Sequence, residues 1–207
     1  FADLKTRAPA LEVNTEYLSD NDRLVCHHCR LNLFNIGAID LIGSLEHLTG
    51  APALRLEAES QNFLPGGFFD FALRESFNRQ YPLLDKVSLQ GQMTFQLKLA
   101  GALDALVAEG DCTLRNGAIR TKDMDWQIGP IALDLPFQVR FPAAQQQPIG
   151  NLRRGTLSIE KLSFGRQSFG PVTTAVSLWN NALQFYQPLH AAAFGGEIEI
   201  ANLSWPD

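Results

Sequence analysis

Two stretches of this chain alternate between apolar and polar residues. From Val87 to Leu99 the odd positions are apolar, apart from Gly91, and the even positions are polar. A similar pattern returns from Ile131 to Phe141. Because neighbouring side chains of a β-strand point to opposite faces, the pattern predicts two long strands, each with one apolar and one polar face.

Residues 65–84 follow a helical period instead. Apolar side chains recur every fourth position along one side of this segment: Phe69, Leu73, Phe77 and Tyr81. Gly66-Gly67 precedes the stripe, and Pro82 would end a helix because proline cannot continue the hydrogen-bond pattern. The spacing predicts one amphipathic helix at about 65–84.

The rest of the chain reads as strands separated by Gly, Pro and Asn. The predicted strands are 23–33, 36–48, 54–60, 107–114, 119–126, 155–164, 172–179, 183–186 and 197–203. Asn116-Gly117 has the composition of a hairpin turn. Pro136 lacks the backbone N–H of a sheet ladder, which indicates an edge position or a bulge.

The pairs Gly129-Pro130 and Gly170-Pro171 stand in similar surroundings, Ile-Gly-Pro-Ile and Phe-Gly-Pro-Val. A repeated unit favours an extended sheet built by stacking over a closed sandwich. We therefore expect a mainly β (α+β) chain of 207 residues, forming one module of a longer protein. Its parts would be N-terminal strands (1–60), a helix (61–84) and a repeated long-strand section (85–207).

Composition narrows the function. Hydrophobic residues make up 45% of the chain, so a core can form. The formal net charge of −5, without a run of Lys or Arg, argues against nucleic acid as a partner. No apolar run approaches the roughly 20 residues of a membrane helix. No nucleophile elbow, phosphate loop or histidine–metal spacing is present, so the sequence predicts neither an enzyme nor a cofactor.

The cluster Cys26-His27-His28-Cys29 leaves three readings open: a metal site, a disulfide, or strand residues that are neither bonded nor metal-bound. Zinc would need four convergent ligands, but in a regular strand Cys26 and His28 face one side while His27 and Cys29 face the other. A disulfide is also awkward, because three residues of regular strand hold the two Cα atoms about 10 Å apart. The disulfide becomes feasible if the segment turns.

Several motifs carry a resemblance to a known family. They are Phe-Asn-Arg-Gln-Tyr-Pro-Leu-Leu at 77–84, Leu-Arg-Asn-Gly at 114–117, Phe-Gly-Pro-Val at 169–172 and the tract 181–196, which closes with Ala-Phe-Gly-Gly. Over roughly residues 60–205 the chain resembles the AsmA-like superfamily, and its YdbH branch in particular. The resemblance implies a periplasmic location in a Gram-negative envelope, with an inner-membrane anchor outside this chain. It also implies transport of phospholipid between the inner and outer membranes, without catalytic residues.

The fold implied by the resemblance is a long, twisted, mostly antiparallel sheet curled into an open apolar groove, a β-taco. Within it the alternating strands and the helix would supply the side chains that contact acyl chains: Leu89, Met93, Phe95, Leu97, Leu99, Leu133, Leu135, Phe137, Val139 and Phe77. The helix would close one end of the groove. A second reading is an envelope assembly scaffold, with a closed β core and sheet edges that recruit partner strands.

Overall fold

The computed structural model describes residues 10–77, 79–121, 126–141, 153–179, 182–186, 189–193 and 196–200. Four strands come first: β1 (Ala10–Leu18), β2 (Arg23–Leu33), β3 (Gly37–Glu46) and β4 (Ala53–Phe63). A helical segment follows, made of α1 (Pro65–Phe68), a π-helical stretch (Phe69–Arg74) and α2 (Glu75–Phe77). A 3₁₀ turn (Pro82–Lys86) leads back into the sheet.

The three longest strands come next, β5 (Val87–Ala102), β6 (Ala105–Thr121) and β7 (Trp126–Phe141). Short strands follow: β8 (Gly155–Ile159), β9 (Leu162–Phe164), β10 (Gln167–Phe169), β11 (Val172–Trp179) and β12 (Ala182–Phe185). A separate hairpin pairs β13 (Leu189–Ala193) with β14 (Gly196–Ile200).

One twelve-stranded sheet dominates the described residues, in the order β1 to β8, then β11 and β12. Strands β9 and β10 branch from β7. Its pairings are antiparallel apart from a short parallel contact between β7 and β11. The predicted mainly β class, long antiparallel sheet and single helical region are confirmed, and the sheet is open rather than strongly curled.

The predicted hairpin at Asn116-Gly117 is wrong. Strand β6 runs straight through this dipeptide, and the pairing with β7 shifts between Leu114 and Gly117. Asn116 has a positive φ of 51°, so the dipeptide forms a bulge inside one strand rather than a turn between two. The β5–β6 turn lies instead at Leu103-Asp104, between the paired residues Ala102 and Ala105.

The bulge in β6 belongs to a row of glycines that crosses three strands. Gly91 on β5 and Gly129 on β7 have φ near +130°. A Cβ on Gly91 would lie 3.0 Å from the Cα of Gly117, and one on Gly129 would lie 2.6 Å from the Gly117 carbonyl oxygen. Only glycine fits at this approach, and bulges in neighbouring strands bend the sheet along a shared line.

Pro136 lies where one side of β7 pairs with no strand among the described residues. Pairing with β8 ends at Asp134, and pairing with β11 begins at Phe137. On its other side Pro136 pairs with Asp111 of β6. A proline is tolerated there because no ladder partner requires its missing N–H, as the sequence predicted for an edge-like position.

Burial is distributed unevenly over the sheet. The deepest side chains, Val176, Ser177 and Thr174, belong to β11, where short strands crowd against β7 and Tyr186 binds the Ser177 hydroxyl at 2.9 Å. The long strands β5 to β7 are tied together by backbone ladders, while the apolar side chains of β5 stay half-open. The C-terminal strands thus supply a conventional core, and the middle of the sheet keeps apolar surface in contact with solvent.

The helical segment packs where β4 ends and β5 begins. Leu64, just before it, donates its N–H to the Ile36 carbonyl at 2.6 Å. The buried Phe63 ring lies 5.6 Å from the ring of Phe68 and 5.7 Å from the ring of Phe95. These rings join the helical segment to the apolar side of the sheet at this end.

The predicted helix over 65–84 is too long, and its predicted apolar stripe does not form one continuous buried side. Helical structure stops at Phe77, and the π-helical middle widens the turn beyond 3.6 residues. The predicted stripe is therefore not one buried side of a helix: Phe69 is buried, whereas Phe77 and Tyr81, which lies beyond the helical structure, are 44% and 55% exposed. The side chain of Leu73 lies outside the described part of the structure.

Arg74 anchors the far side of the helical segment. Its guanidinium forms an ion pair with Asp70 at 2.7 Å and lies 5.3 Å from the centre of the Phe69 ring. It also donates to the carbonyl oxygens of Leu84 and Val87. Arg74 thereby links the helical segment to the start of β5.

We expect Phe63→Ala to destabilise the protein by about 3–5 kcal/mol, because it removes a buried ring that joins helix and sheet. Phe71→Ala is the matched control, since Phe71 is a phenylalanine of the adjoining helical segment whose side chain is exposed. It should change the free energy of unfolding by no more than about 0.5 kcal/mol. Urea denaturation measures both values, and equal losses would contradict the packing described above.

Candidate apolar binding face

The register of β5, β6 and β7 brings eight of the predicted groove residues together. Residues directly opposite each other in paired strands share a face. Three of the resulting rows are Met93–Leu114–Leu133, Phe95–Cys112–Leu135 and Leu99–Ala108–Val139, and a fourth is Leu97–Gly110–Phe137. These side chains form one apolar surface in the middle of the sheet.

The other two predicted residues lie apart from this surface. Leu89 pairs with Ile119 beyond the glycine row, at the end of β5 nearest the helical segment. Phe77 belongs to α2 and is largely exposed. The helical segment therefore contacts one end of the sheet, but Phe77 is not buried against it.

The apolar surface continues well beyond the predicted strands. One cross-strand row passes through nine strands with an apolar residue or glycine at every step: Val13, Cys29, Leu41, Ala58, Leu97, Gly110, Phe137, Leu178 and Leu183. A neighbouring row is apolar from β1 to β7: Tyr17, Leu24, Leu45, Leu54, Gly101, Leu106 and Phe141. We call the side of the sheet that carries these rows the apolar face.

Sequence reasoning missed the part of the apolar face that β1 to β4 contribute. The signal was present, because Leu41 and Leu45 on β3, and Leu54 and Leu56 on β4, follow the same period of two. The alternation in these strands is interrupted by small and polar residues such as Gly43 and Ser60, and their connection to β5 becomes visible only through the register. The apolar face therefore spans nine strands, rather than only the three from β5 to β7.

Most of the apolar face is only half-buried. The predicted groove residues on β5 have intermediate exposure, and on the edge strand Leu11 and Val13 are 62% and 54% exposed. At the β11 end, by contrast, Val176 is completely buried on the same face as Leu178. A contiguous apolar surface that the described chain leaves partly uncovered is typical of a binding surface.

The opposite side, the polar face, carries the charges. Cross-strand ion pairs join Lys98 to Glu57 at 3.3 Å and Arg153 to Asp111 at 2.6 Å. A shallow cleft of about 920 Å³ crosses this face from β2 to β7. This cleft is therefore lined by charged groups, several of which are paired with one another.

The two cysteines of the Cys-His-His-Cys cluster form a disulfide, with Cα atoms 6.5 Å apart. A bulge in β2 makes this possible: Thr15 pairs with Cys26 and Asn14 with His28, so His27 has no opposite residue on β1. The expectation that each cysteine shares a face with a histidine is wrong. Cys26 and Cys29 both occupy the apolar face.

The two histidines of the cluster contact carboxylates instead. His27 lies 3.0 Å from Glu16, and His28 lies 3.3 Å from Asp40. The cysteine sulfurs are bonded to each other and are not free to ligate zinc. Among the described residues, no group of three or more His, Cys, Asp or Glu is arranged to hold a metal ion.

The third cysteine, Cys112, is a free thiol on the apolar face, between Phe95 and Leu135. Burial raises the pKa of this thiol, and the nearby Asp134 carboxylate raises it further. Both effects disfavour the thiolate, since a low dielectric and a like charge each oppose ionisation. Cys112 is thus a native chemical reporter on the apolar face.

Comparison with protein-family models, with curated proteins and with solved structures found no match to this chain. In the part of the chain that the structure describes, no helix is long and apolar enough to cross a membrane.

We expect iodoacetamide to alkylate Cys112 in the folded protein at least about tenfold more slowly, near neutral pH, than in urea-unfolded protein. The folded-state rate should still be rising at pH values where an ordinary thiol, with a pKa of about 8.5, has levelled off. Mass spectrometry of the labelled peptide over a pH series measures both effects. A folded-state rate that levels off with the unfolded one would contradict the raised pKa.

Proposed function

We propose that this chain binds the acyl chains of phospholipid on its apolar face and belongs to an AsmA-like, YdbH-type protein. That protein would move lipid between the inner and outer membranes of a Gram-negative envelope. The chain would work in the periplasm, tethered to the inner membrane through other segments of the same protein. The observation that carries the proposal is the unbroken, half-uncovered apolar row across nine strands.

The dimensions of the apolar face suit an acyl chain. Strands lie about 4.8 Å apart, so a row through nine strands extends roughly 40 Å. Burying each methylene group stabilises a complex by roughly 0.8 kcal/mol and requires no specific polar partner. A surface of alternating Leu, Val, Phe and Ala side chains therefore holds a chain at many positions along its length, which is what a transport path requires.

The curled groove is the next part of the proposal. The described sheet is open, and the glycine row at Gly91, Gly117 and Gly129 crosses three neighbouring strands at one level. We infer that the long strands bend along this line when acyl chains occupy the apolar face, because bending there shields more of the guest from water. The helical segment would then close the adjacent end.

The charges on the polar face support the proposal that lipid tails bind the apolar face instead. Its cleft is lined by charged groups such as Glu57, Lys98, Asp111 and Arg153, several of them in cross-strand ion pairs. Placing a methylene chain against these groups would remove them from water without offering a hydrogen bond in return. Lipid tails should therefore contact odd-numbered β5 residues and avoid even-numbered ones.

Photocrosslinking can test which face meets lipid. A benzophenone amino acid at position 97 should give phospholipid adducts in cells, whereas the same probe at position 96 should give few. Leu97 and Gln96 are adjacent on β5 but lie on opposite faces, so they form a matched pair. Mass spectrometry identifies the adducts. Equal lipid yields at both positions, or none at 97, would contradict the proposal.

A charged substitution gives a second test. Leu135→Asp should reduce co-purifying phospholipid at least about tenfold, because a carboxylate in the middle of the apolar face must be desolvated by a bound acyl chain. Gln138→Asp, on the same strand but the polar face, should leave the lipid content unchanged. Circular dichroism controls for folding. If Leu135→Asp stays folded and retains its lipid, the apolar face is not the binding surface.

Cys112 provides a readout without substitution near the site. Phospholipid in mild detergent should slow alkylation of this thiol several-fold by covering it, on top of the suppression that its raised pKa already causes. Detergent alone is the control. Equal rates with and without phospholipid would show that the middle of the apolar face is not covered.

The edge of the sheet favours one alternative, an envelope assembly scaffold. Among the described strands β1 pairs only with β2, and eight of its nine residues are exposed. Such an edge can accept a strand from another protein. The same crosslinking experiment separates the two functions, because a probe at Val13 would then yield a protein adduct while position 97 yields no lipid.

A further inference from the structure

The apolar pattern of β2 changes phase in the middle of the strand. Leu24 and Cys26 occupy even positions, whereas Cys29, Leu31 and Leu33 occupy odd ones. A regular strand would place these two groups on opposite faces, because the side-chain period is two. The bulge at His27 inserts one extra residue and returns both groups to the apolar face.

The disulfide spans this bulge. A regular strand would hold the Cα atoms of Cys26 and Cys29 about 10 Å apart, and here they are 6.5 Å apart. The cross-link therefore ties the half of β2 before the bulge to the half after it. A β2 straightened into a regular strand would pull the two cysteines out of bridging range.

The pairing of the edge strand β1 with β2 depends on this bulge along the whole length of β1. Residues 10–14 of β1 pair with residues 28–32, after the bulge, and residues 15–18 pair with residues 23–26, before it. The register of β1 therefore shifts at Asn14/Thr15, opposite His27. If the two halves of β2 move relative to each other, β1 can keep its hydrogen bonds to only one of them.

We propose that Cys26–Cys29 is a reversible redox site that controls whether β1 stays paired along its whole length. This proposal rests on the geometry of β1 and β2 and is independent of the lipid function. The oxidised form locks the bulge, and the reduced form releases it. Release loosens the part of the apolar face that carries Leu11, Val13 and Tyr17.

The co-substrate belongs to the class of dithiols. One thiolate of the donor attacks a sulfur of the Cys26–Cys29 bond, which forms a mixed disulfide and frees the other cysteine, which takes up a proton. The second donor thiolate then attacks the donor's own sulfur in the mixed disulfide and releases the remaining cysteine. Two electrons and two protons pass to the protein, and the donor leaves as a disulfide.

The site is accessible to such a donor. Both cysteines are only half-buried. The pair also lies on the strand next to the edge of the described sheet. No deep burial has to be undone before a thiolate reaches the sulfurs.

Hydrogen exchange can test the proposal on the unmodified protein. Mass spectrometry of the alkylated protein should first show one disulfide and one free thiol. Dithiothreitol without denaturant should then speed amide exchange in residues 10–18 and 24–29 by roughly twentyfold, the factor that loop-closure entropy gives for a ring of about four residues. Exchange in β5 to β7 should not change, and reoxidation should restore the original rates.

Two variants sharpen the result. Cys26→Ser/Cys29→Ser should exchange at the reduced rate with and without dithiothreitol. Cys112→Ala, which removes the free thiol, should respond to dithiothreitol like the unmodified protein. Unchanged exchange in β1 on reduction, or an equal increase in β1 and in β5 to β7, would overturn the proposal, since the disulfide would then be inert or a general structural staple.

Discussion

The structure depends on keeping one face of a very wide sheet apolar across its strands. A strand has a period of two, so a slip of one residue in any strand would move all its apolar side chains to the wrong face. In this chain the rows stay in phase from β1 to β12. Where the sequence changes phase, as at His27 in β2, the backbone accommodates a bulge that restores the face.

This constraint explains which features the sequence revealed. Strict alternation over many residues identified β5 and β7, because a long run of period two is hard to produce otherwise. Asn116-Gly117 was misread because its composition suits both a turn and a bulge. Only the pairing of the surrounding residues with β5 and β7 distinguishes the two, and pairing is not local information.

The length of the helical segment was predicted wrongly for a different reason. Helical structure ends at Phe77, so the four-residue spacing that continues to Tyr81 does not mark one face of a helix. Packing explains where the segment sits: Gly67 lies so close to the Asn35 carbonyl oxygen that a Cβ would clash with it. In the sequence, the only sign of this tertiary contact is the pair Gly66-Gly67.

In the cysteine cluster, one extra residue in β2 affects both the register of the sheet and the formation of the disulfide. In a regular strand Cys26 and Cys29 would lie on opposite faces. Neither a zinc site nor a disulfide would then be geometrically feasible. The neighbouring leucines hold the missing information, because Leu24 and Leu31 can share the apolar face only if one residue is extra between them. That extra residue brings the cysteines to one side within bonding distance and sends both histidines to the carboxylates on the other. The apolar face therefore favours the bulge, the bulge brings the two cysteines within bonding distance, and the disulfide holds the bulge in place.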